Sequence, residues 1–319
     1  MKLPRTANLL SLLLATGLAF SGCGSSTTDT IISGPTPLGP GYFVDSRTGN
    51  DSTGNFQNGA PFATVQAAVA AAGPGADILI RPGSGVYEGQ IQLLDDQRLL
   101  GNGSVDVSAQ GLSLPTLSGP ILLADNNTVD SIQVIGTDGI AIDGDDQDSG
   151  TITNCDISDN QNGTGIQMRA VTGQWRVEDN NITRIDGIGL DMDTQAGGTA
   201  RVQANRNLIT ECRLFGLGMA AFGQSDMRMQ ANNNTLSGNG HGFGPDQTAL
   251  GSLCASQGMA TITVQLIGNI NNGIYGFTQA APDSTINVER FAQINDLNEG
   301  NFVEIEGTVS DVPLGTAGF

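Results

Sequence analysis

The feature that most restricts this chain is a repeat. Four segments read Thr153-Asn154-Cys155-Asp156-Ile157, Glu178-Asp179-Asn180-Asn181-Ile182, Ala204-Asn205-Arg206-Asn207-Leu208 and Ala231-Asn232-Asn233-Asn234-Thr235-Leu236. Shortly after each comes a Gly-x-Gly-apolar element: Gly163-Thr164-Gly165-Ile166, Gly187-Ile188-Gly189-Leu190, Gly216-Leu217-Gly218-Met219 and Gly240-His241-Gly242-Phe243. The second glycines of successive copies stand 24, 29 and 24 residues apart, at positions 165, 189, 218 and 242. Weaker copies are Gly139-Ile140-Ala141-Ile142 and Gly273-Ile274-Tyr275-Gly276-Phe277. A unit this short cannot bury its own apolar face, so successive units must stack into a solenoid with one continuous core. Between residues 77 and 309, about 25 residues per unit gives nine or ten turns. No Leu-x-x-Leu-x-Leu pattern recurs, and propeller blades are longer, so neither alternative repeat fits.

Strand alternation then assigns faces. Ile140, Ile142, Thr164, Ile166, Ile188, Leu190, Leu217, Met219, His241 and Phe243 are expected to point inward. The asparagines are expected to stack at equivalent turns, pairing their amides along the coil and tolerating left-handed backbone. Composition agrees: 45 glycines, 5% aromatic and 14% charged residues suit a chain that turns often.

Upstream, Tyr42-Phe43-Val44-Asp45 reads as a strand, followed by the loop Thr48-Gly49-Asn50-Asp51-Ser52 and by Ala60-Pro61-Phe62-Ala63-Thr64. Thr64 is the expected N-cap of a short helix over 65–72, which Gly73 and Pro74 end. Val65, Ala68, Val69 and Ala72 share its apolar face. A strand Asp77-Ile78-Leu79-Ile80 and a turn at Pro82-Gly83 follow, before Tyr87-Glu88. This order resembles the N-terminal entry of pectate-lyase-like parallel β-helix proteins. The resemblance implies an all-β, right-handed parallel β-helix solenoid over 77–319, with 41–76 supplying a strand, a loop and a short N-terminal capping helix.

The first residues concern export. Lys2 and Arg5 precede an apolar run from Leu9 to Phe20, too short to span a bilayer, which takes roughly 20 residues. Residues 1–22 therefore read as a signal peptide. Phe20-Ser21-Gly22-Cys23 resembles the lipobox of bacterial lipoproteins, with Phe20 where that family usually has Leu. The resemblance implies that Cys23 is lipidated and becomes the N-terminus, ordinary cleavage with Cys23 incidental being the alternative. Residues 23–40, rich in Ser, Thr, Gly and Pro, read as a flexible tether. Gly24-Ser25-Ser26 lacks the Asp that retains lipoproteins at the inner membrane, so the expected location is the outer membrane or cell surface. Cys155, Cys212 and Cys254 show no metal-type spacing and are expected to be small buried residues.

The formal net charge is −19, and the only lysine, Lys2, lies in the signal. Such a surface repels nucleic acid and anionic lipid, which excludes both as partners beyond the lipid anchor itself. On the repeat, the outward residues form the sharpest constellation in the chain: Asp143 and Asp145, then Gln167 and Arg169, then Asp191 and Asp193. Ala220 with Phe222, and Gly244 with Asp246, continue the face. Paired carboxylates suit acid–base chemistry, and a guanidinium can hold a sugar carboxylate bidentately. In the β-helix enzymes that the fold resembles, such a face carries catalytic carboxylates, calcium ligands and arginines. Asp191, Asp193 and Arg169 are thus the candidate catalytic residues, and Asp143, Asp145 and Gln167 the candidate substrate contacts. Calcium is the candidate ion and a polysaccharide the candidate partner. The competing reading is a cross-strand charge ladder on a non-catalytic structural or adhesive rod, with Arg169 offsetting repulsion between Asp145 and Asp193.

Two further motifs are weaker. Gly240-His241-Gly242 shares three residues with a polygalacturonase motif, but the acids and the lysine that accompany it there have no counterparts here. Asp143-Gly144-Asp145-Asp146-Gln147-Asp148 has the look of a calcium loop, yet the twelfth position, where an EF-hand needs Glu, is Asn154.

Overall fold

The computed structural model describes residues 41–56, 60–82, 85–101, 113–195, 197–240, 250–271, 274–279, 281–299 and 302–319. Cys23 with its signal and tether, and His241 to Asp246, lie outside these residues.

Three parallel sheets of 11, 9 and 8 strands account for almost all regular structure. Each turn of the chain gives one strand to each sheet, in the order eleven-, eight-, nine-stranded. Complete turns run from Asp77–Ile80, Tyr87–Glu88 and Ile91–Gln92 to Thr261–Ile267, Ile270–Asn271 and Ile274–Gln279. Among the described residues the eight-stranded sheet gives eight complete turns, fewer than the nine or ten expected. After Thr285–Glu289 the short helical pieces Phe291–Gln293 and Ile294–Leu297 replace the strand that a ninth complete turn would need.

The N-terminal helix spans Val65–Ala71 and is capped as expected: Thr64 Oγ1 accepts from the Ala67 N–H at 3.2 Å. Val65, Ala68, Val69 and Ala72 are buried, so this helix contributes its apolar face to the core.

Inside the coil, residues of successive turns lie over one another in columns. Ile121, Ile142, Ile166, Leu190 and Leu217 are in register on the nine-stranded sheet, all buried. On the eight-stranded sheet the column is Tyr87, Leu117, Val134, Ile157, Ile182, Ile209 and Leu236. Each such side chain contributes roughly 1.5–3 kcal/mol by leaving water. Trp175 sits in the third wall at 1% exposure, its indole N–H donating to Thr172 O at 2.8 Å. Gly150 lies opposite it in register, and a Cβ there would meet the indole ring at 2.5 Å.

The asparagine stack is present and divides its two tasks between neighbouring residues. Asn180, Asn207, Asn234, Asn269 and Asn298 are buried, and each Oδ1 from Asn207 onward accepts both the backbone and the amide N–H of the asparagine one turn before. Their amides also donate to backbone carbonyls of the preceding turn, such as Asn207 Nδ2 to Val177 O at 2.8 Å. The left-handed backbone falls on the residue just before: Asp179, Arg206, Asn233 and Gly268 have φ between 57° and 69°. Cys155 ends the stack, its N–H donating to Asn180 Oδ1 at 3.0 Å.

Three expectations need correction. Leu190 pairs with Leu217, so Gly189 is opposite Gly216 rather than Gly218, and the turn is 27 residues long, as the Asn180–Asn207 bond also requires. Ile140 and Ile188 are half-buried rather than inward. Gly165 and Gly189 take the inside positions, because a Cβ on them would strike Ile182 at 2.9 Å and Ile209 at 2.4 Å. Finally, the strand that follows Leu217–Gly223 in the sheet is Leu250–Gly258, with Ser252 opposite Leu217 and Cys254 opposite Met219. Those positions had been expected for His241 and Phe243.

Candidate functional site

The six candidate residues lie on the outer side of the nine-stranded sheet, on three adjacent strands: Ile142–Asp145, Ile166–Arg169 and Leu190–Thr194. Their partners on the strands, Ile142, Ile166, Leu190, Met168 and Met192, are buried, so alternation turns the polar residues outward. Register places Asp143 opposite Gln167 and Gln167 opposite Asp191, with Gly218 next in the column. A second column holds Asp145 opposite Arg169, and Asp193 opposite Ala220. Gly218 leaves room for the acid beside it: a Cβ there would lie 2.6 Å from Asp191 Oδ1.

The four carboxylates are not equivalent. Asp145 is exposed and pairs with Arg169 Nη2 at 3.3 Å. Asp193 Oδ1 accepts from the Ala170 backbone N–H at 2.9 Å and from Gln195 Nε2 at 3.0 Å, which commits that oxygen to bracing the strand end. Asp143 and Asp191 are half-buried and hold their protons to higher pH than an ordinary carboxyl. Burial is the main cause for both. At Asp143 the Arg169 charge opposes it and Asp145 reinforces it. At Asp191 the hydrogen bond from Gln167 Nε2, 3.4 Å from Oδ2, opposes it, the Asp193 charge adds to it, and Arg169 again opposes. Two buried atoms of the cluster, Asp143 Oδ1 and Arg169 Nε, have no hydrogen-bond partner among the described residues.

Arginine–aspartate pairs between consecutive turns recur elsewhere, so the comparison among them is informative. Arg184 reaches Asp159 at 2.5 Å, Arg206 reaches Asp179 at 2.7 Å and Arg213 reaches Asp186 at 2.5 Å. Arg184 and Arg206 each use two nitrogens on both carboxylate oxygens. Arg169 makes a longer contact with one oxygen and leaves Nε unused.

Among the described residues, no three His, Cys, Asp or Glu side chains converge closely enough to hold a metal ion. Cys155 and Cys212 are free and buried, and burial pushes each thiol up to about 12. Trp175, the only tryptophan, is a core residue and offers no ring to a ligand.

Sequence reasoning missed a concave region altogether. A depression of about 550 Å³ opens where the eleven-stranded sheet hands over to the eight-stranded one, lined by Pro82, Val86, Leu114, Thr116, Gln133 and Asp156 among others. The early turns carry the repeat weakly, and the groups that meet there come from four separate turns.

Comparison with a protein-family model agrees on architecture. The family model described as "Right handed beta helix region" matches residues 98–252. No curated protein sequence matches the chain. Among solved structures, pectate lyase Pel9A is 16% identical, with 86% of this chain and 77% of that one covered and a TM-score of 0.37. A rhamnogalacturonan lyase is 12% identical, covering 79% and 74%, with a TM-score of 0.34. The GH136 lacto-N-biosidase from Eubacterium ramulus is 10% identical, covering 85% and 68%, with a TM-score of 0.27. From its three stacked parallel sheets, its inward columns and this family match, the chain is a right-handed parallel β-helix repeat protein.

Proposed function

We propose that this is an exported lipoprotein, anchored through Cys23 at the bacterial outer membrane, whose nine-stranded sheet binds and processes an extracellular polysaccharide. The observation that carries the reading is the pair Asp143 and Asp191, half-buried carboxyls with raised proton affinity, held one on each side of Gln167. A carboxyl whose proton affinity is raised by burial suits general acid–base work, whether of the lyase, hydrolase or epimerase type. In this arrangement Asp191 gives or takes the proton, and burial, with a smaller contribution from the Asp193 charge, keeps its affinity high. Arg169, whose side chain is partly exposed and contacts Asp145 through Nη2 alone, holds an oxygen of the sugar with its exposed end, while Asp143, Asp145 and Gln167 line the approach. Calcium is the ion we propose to bridge this face to a carboxylated sugar. It would need ligands from the sugar, since the aspartates alone do not gather around one point.

A second reading has its own support: Asp145 and Arg169 form the same kind of turn-to-turn pair as Asp159 with Arg184. On that reading the face is a charge ladder on a structural or adhesive surface rod. Screening the mature protein against acidic and neutral polysaccharides, with and without calcium, separates the two. Loss of binding or turnover in Asp191→Asn and Arg169→Ala supports the first; variants that match the parent on every polysaccharide support the second.

A further inference from the structure

The depression at the start of the eight-stranded sheet has the makings of a second, separate binding site. Its floor, Thr116, Gln133 and Asp156, belongs to a chain of hydrogen-bonded side chains on consecutive strands that continues beyond it to Asn181. Thr116 Oγ1 donates to Gln133 Oε1 at 2.8 Å, Gln133 Nε2 donates to Asp156 Oδ2 at 3.3 Å, and Asn181 Nδ2 donates to Asp156 Oδ1 at 3.3 Å. These residues share one outward column in register. Its wall is apolar: Pro82, Leu114 and Val86, the last 43% exposed. The volume, about 550 Å³, falls within the range of small-molecule sites.

The chemistry narrows the occupant. Among the described residues no cation lines the depression and Asp156 does, so an anion is disfavoured. The floor lies within a sheet, with neighbours on both sides, so an extended peptide finds no free strand edge there to pair with. What the floor offers is a row of amide, hydroxyl and carboxylate groups, one strand spacing apart, polarised in series. A ligand matching it needs adjacent groups that both donate and accept, on a body with an apolar side for the wall. We infer that this depression binds an uncharged hexopyranose unit, its vicinal hydroxyls on Gln133, Asp156 and Thr116 and its C–H face on Val86, Leu114 and Pro82. The site is on a different sheet from the aspartate face and does not depend on it.

The test uses ligand-detected NMR on the folded protein. The probes are glucose, galactose, mannose and N-acetylglucosamine, oligomers of each, and polygalacturonate as the acidic control. At least one uncharged sugar is expected to bind. Gln133→Ala should weaken that binding about tenfold or more. Ser113→Trp, a change at an exposed lining residue that fills the mouth, should abolish it while leaving the melting temperature in place. Asp191→Asn should leave it unchanged. Binding of a monosaccharide identifies a free sugar or chain end as the ligand, and binding of oligomers alone identifies an internal unit of a chain. Either outcome supports the site. Absence of binding by every uncharged sugar up to millimolar concentration, or binding untouched by both Gln133→Ala and Ser113→Trp, overturns it. Loss of uncharged-sugar binding on Asp191→Asn also overturns it, by moving the sugar to the other face.

Discussion

Asn207 Oδ1 accepts two hydrogen bonds from Asn180, one from its backbone N–H and one from its side-chain amide, each 3.1 Å long and both buried. Asn207→Ala would strand both donors, together with Val177 O, in a place water does not reach. A buried unsatisfied polar group costs about 1–3 kcal/mol, so a loss of roughly 2–5 kcal/mol is expected on denaturant unfolding. Asn50→Ala, in the exposed entry loop, is the control and should cost well under half of that. Equal losses in the two variants would show that the stack adds nothing special.

Leu190 is fully buried in the column between Ile166 and Leu217. Leu190→Ala should cost about 2–5 kcal/mol through the cavity it leaves. Leu190→Asp should prevent folding, because its charge would have neither water nor a partner. A melting temperature unmoved by either change would contradict the inward column.

Asp143 and Asp191 bind their protons more tightly in the folded chain than in the unfolded one. Linkage then has a definite sign. Between the ordinary carboxyl range and the raised folded value the native state holds more protons, so stability falls as pH rises through that window. Asp191→Asn removes one of these groups. It should melt higher than the parent at neutral pH, with the difference shrinking as acid protonates Asp191 in the parent. Melting curves from pH 3 to 7 check this, and a variant less stable than the parent at pH 7 would count against it.

Cys155 and Cys212, each pushed up to about 12, hold almost no thiolate at pH 8. In a Cys254→Ser form of the mature domain without Cys23, an aromatic disulfide reagent should label neither cysteine until denaturant is added, and both afterwards. Rapid labelling of the native protein would mean that the walls around them open.

For export, Cys23→Ala should release the protein from the membrane fraction or leave it unprocessed. Unchanged fractionation would remove the proposed anchor.

The repeat was legible because every turn must bury apolar residues at the same places, and Ile142, Ile166 and Leu190 do so at intervals of 24. The next register was not. Gly216-Leu217-Gly218-Met219 can be laid against Gly187-Ile188-Gly189-Leu190 in two ways, two residues apart, and both keep apolar residues inside. The pairing of Ile182 with Ile209 and the Asn180–Asn207 bond, both matters of three dimensions, select the 27-residue spacing. On the aspartate face, alternation revealed which residues turn outward. It could not show that Asp193 is bound to the Ala170 N–H, since that contact depends on the left-handed backbone of Ala170 at the corner, φ 54°. Nor could it reach the depression, because Asp156 stands in a repeated segment but Pro82, Leu114, Thr116 and Gln133, which meet it there, do not.

The spacing along the asparagine stack carries one more implication. From Cys155 through Asn180, Asn207, Asn234 and Asn269 to Asn298, the intervals are 25, 27, 27, 35 and 29 residues, yet the bond across each is the same. The stack counts turns and is indifferent to how much chain each turn contains. A gene for such a protein can therefore gain or lose a whole turn by unequal recombination, or take a long insertion at a corner, and the neighbouring turns still find their partners. Descent in this lineage should leave ancestry recorded in the number of asparagine marks, while the lengths between them drift freely.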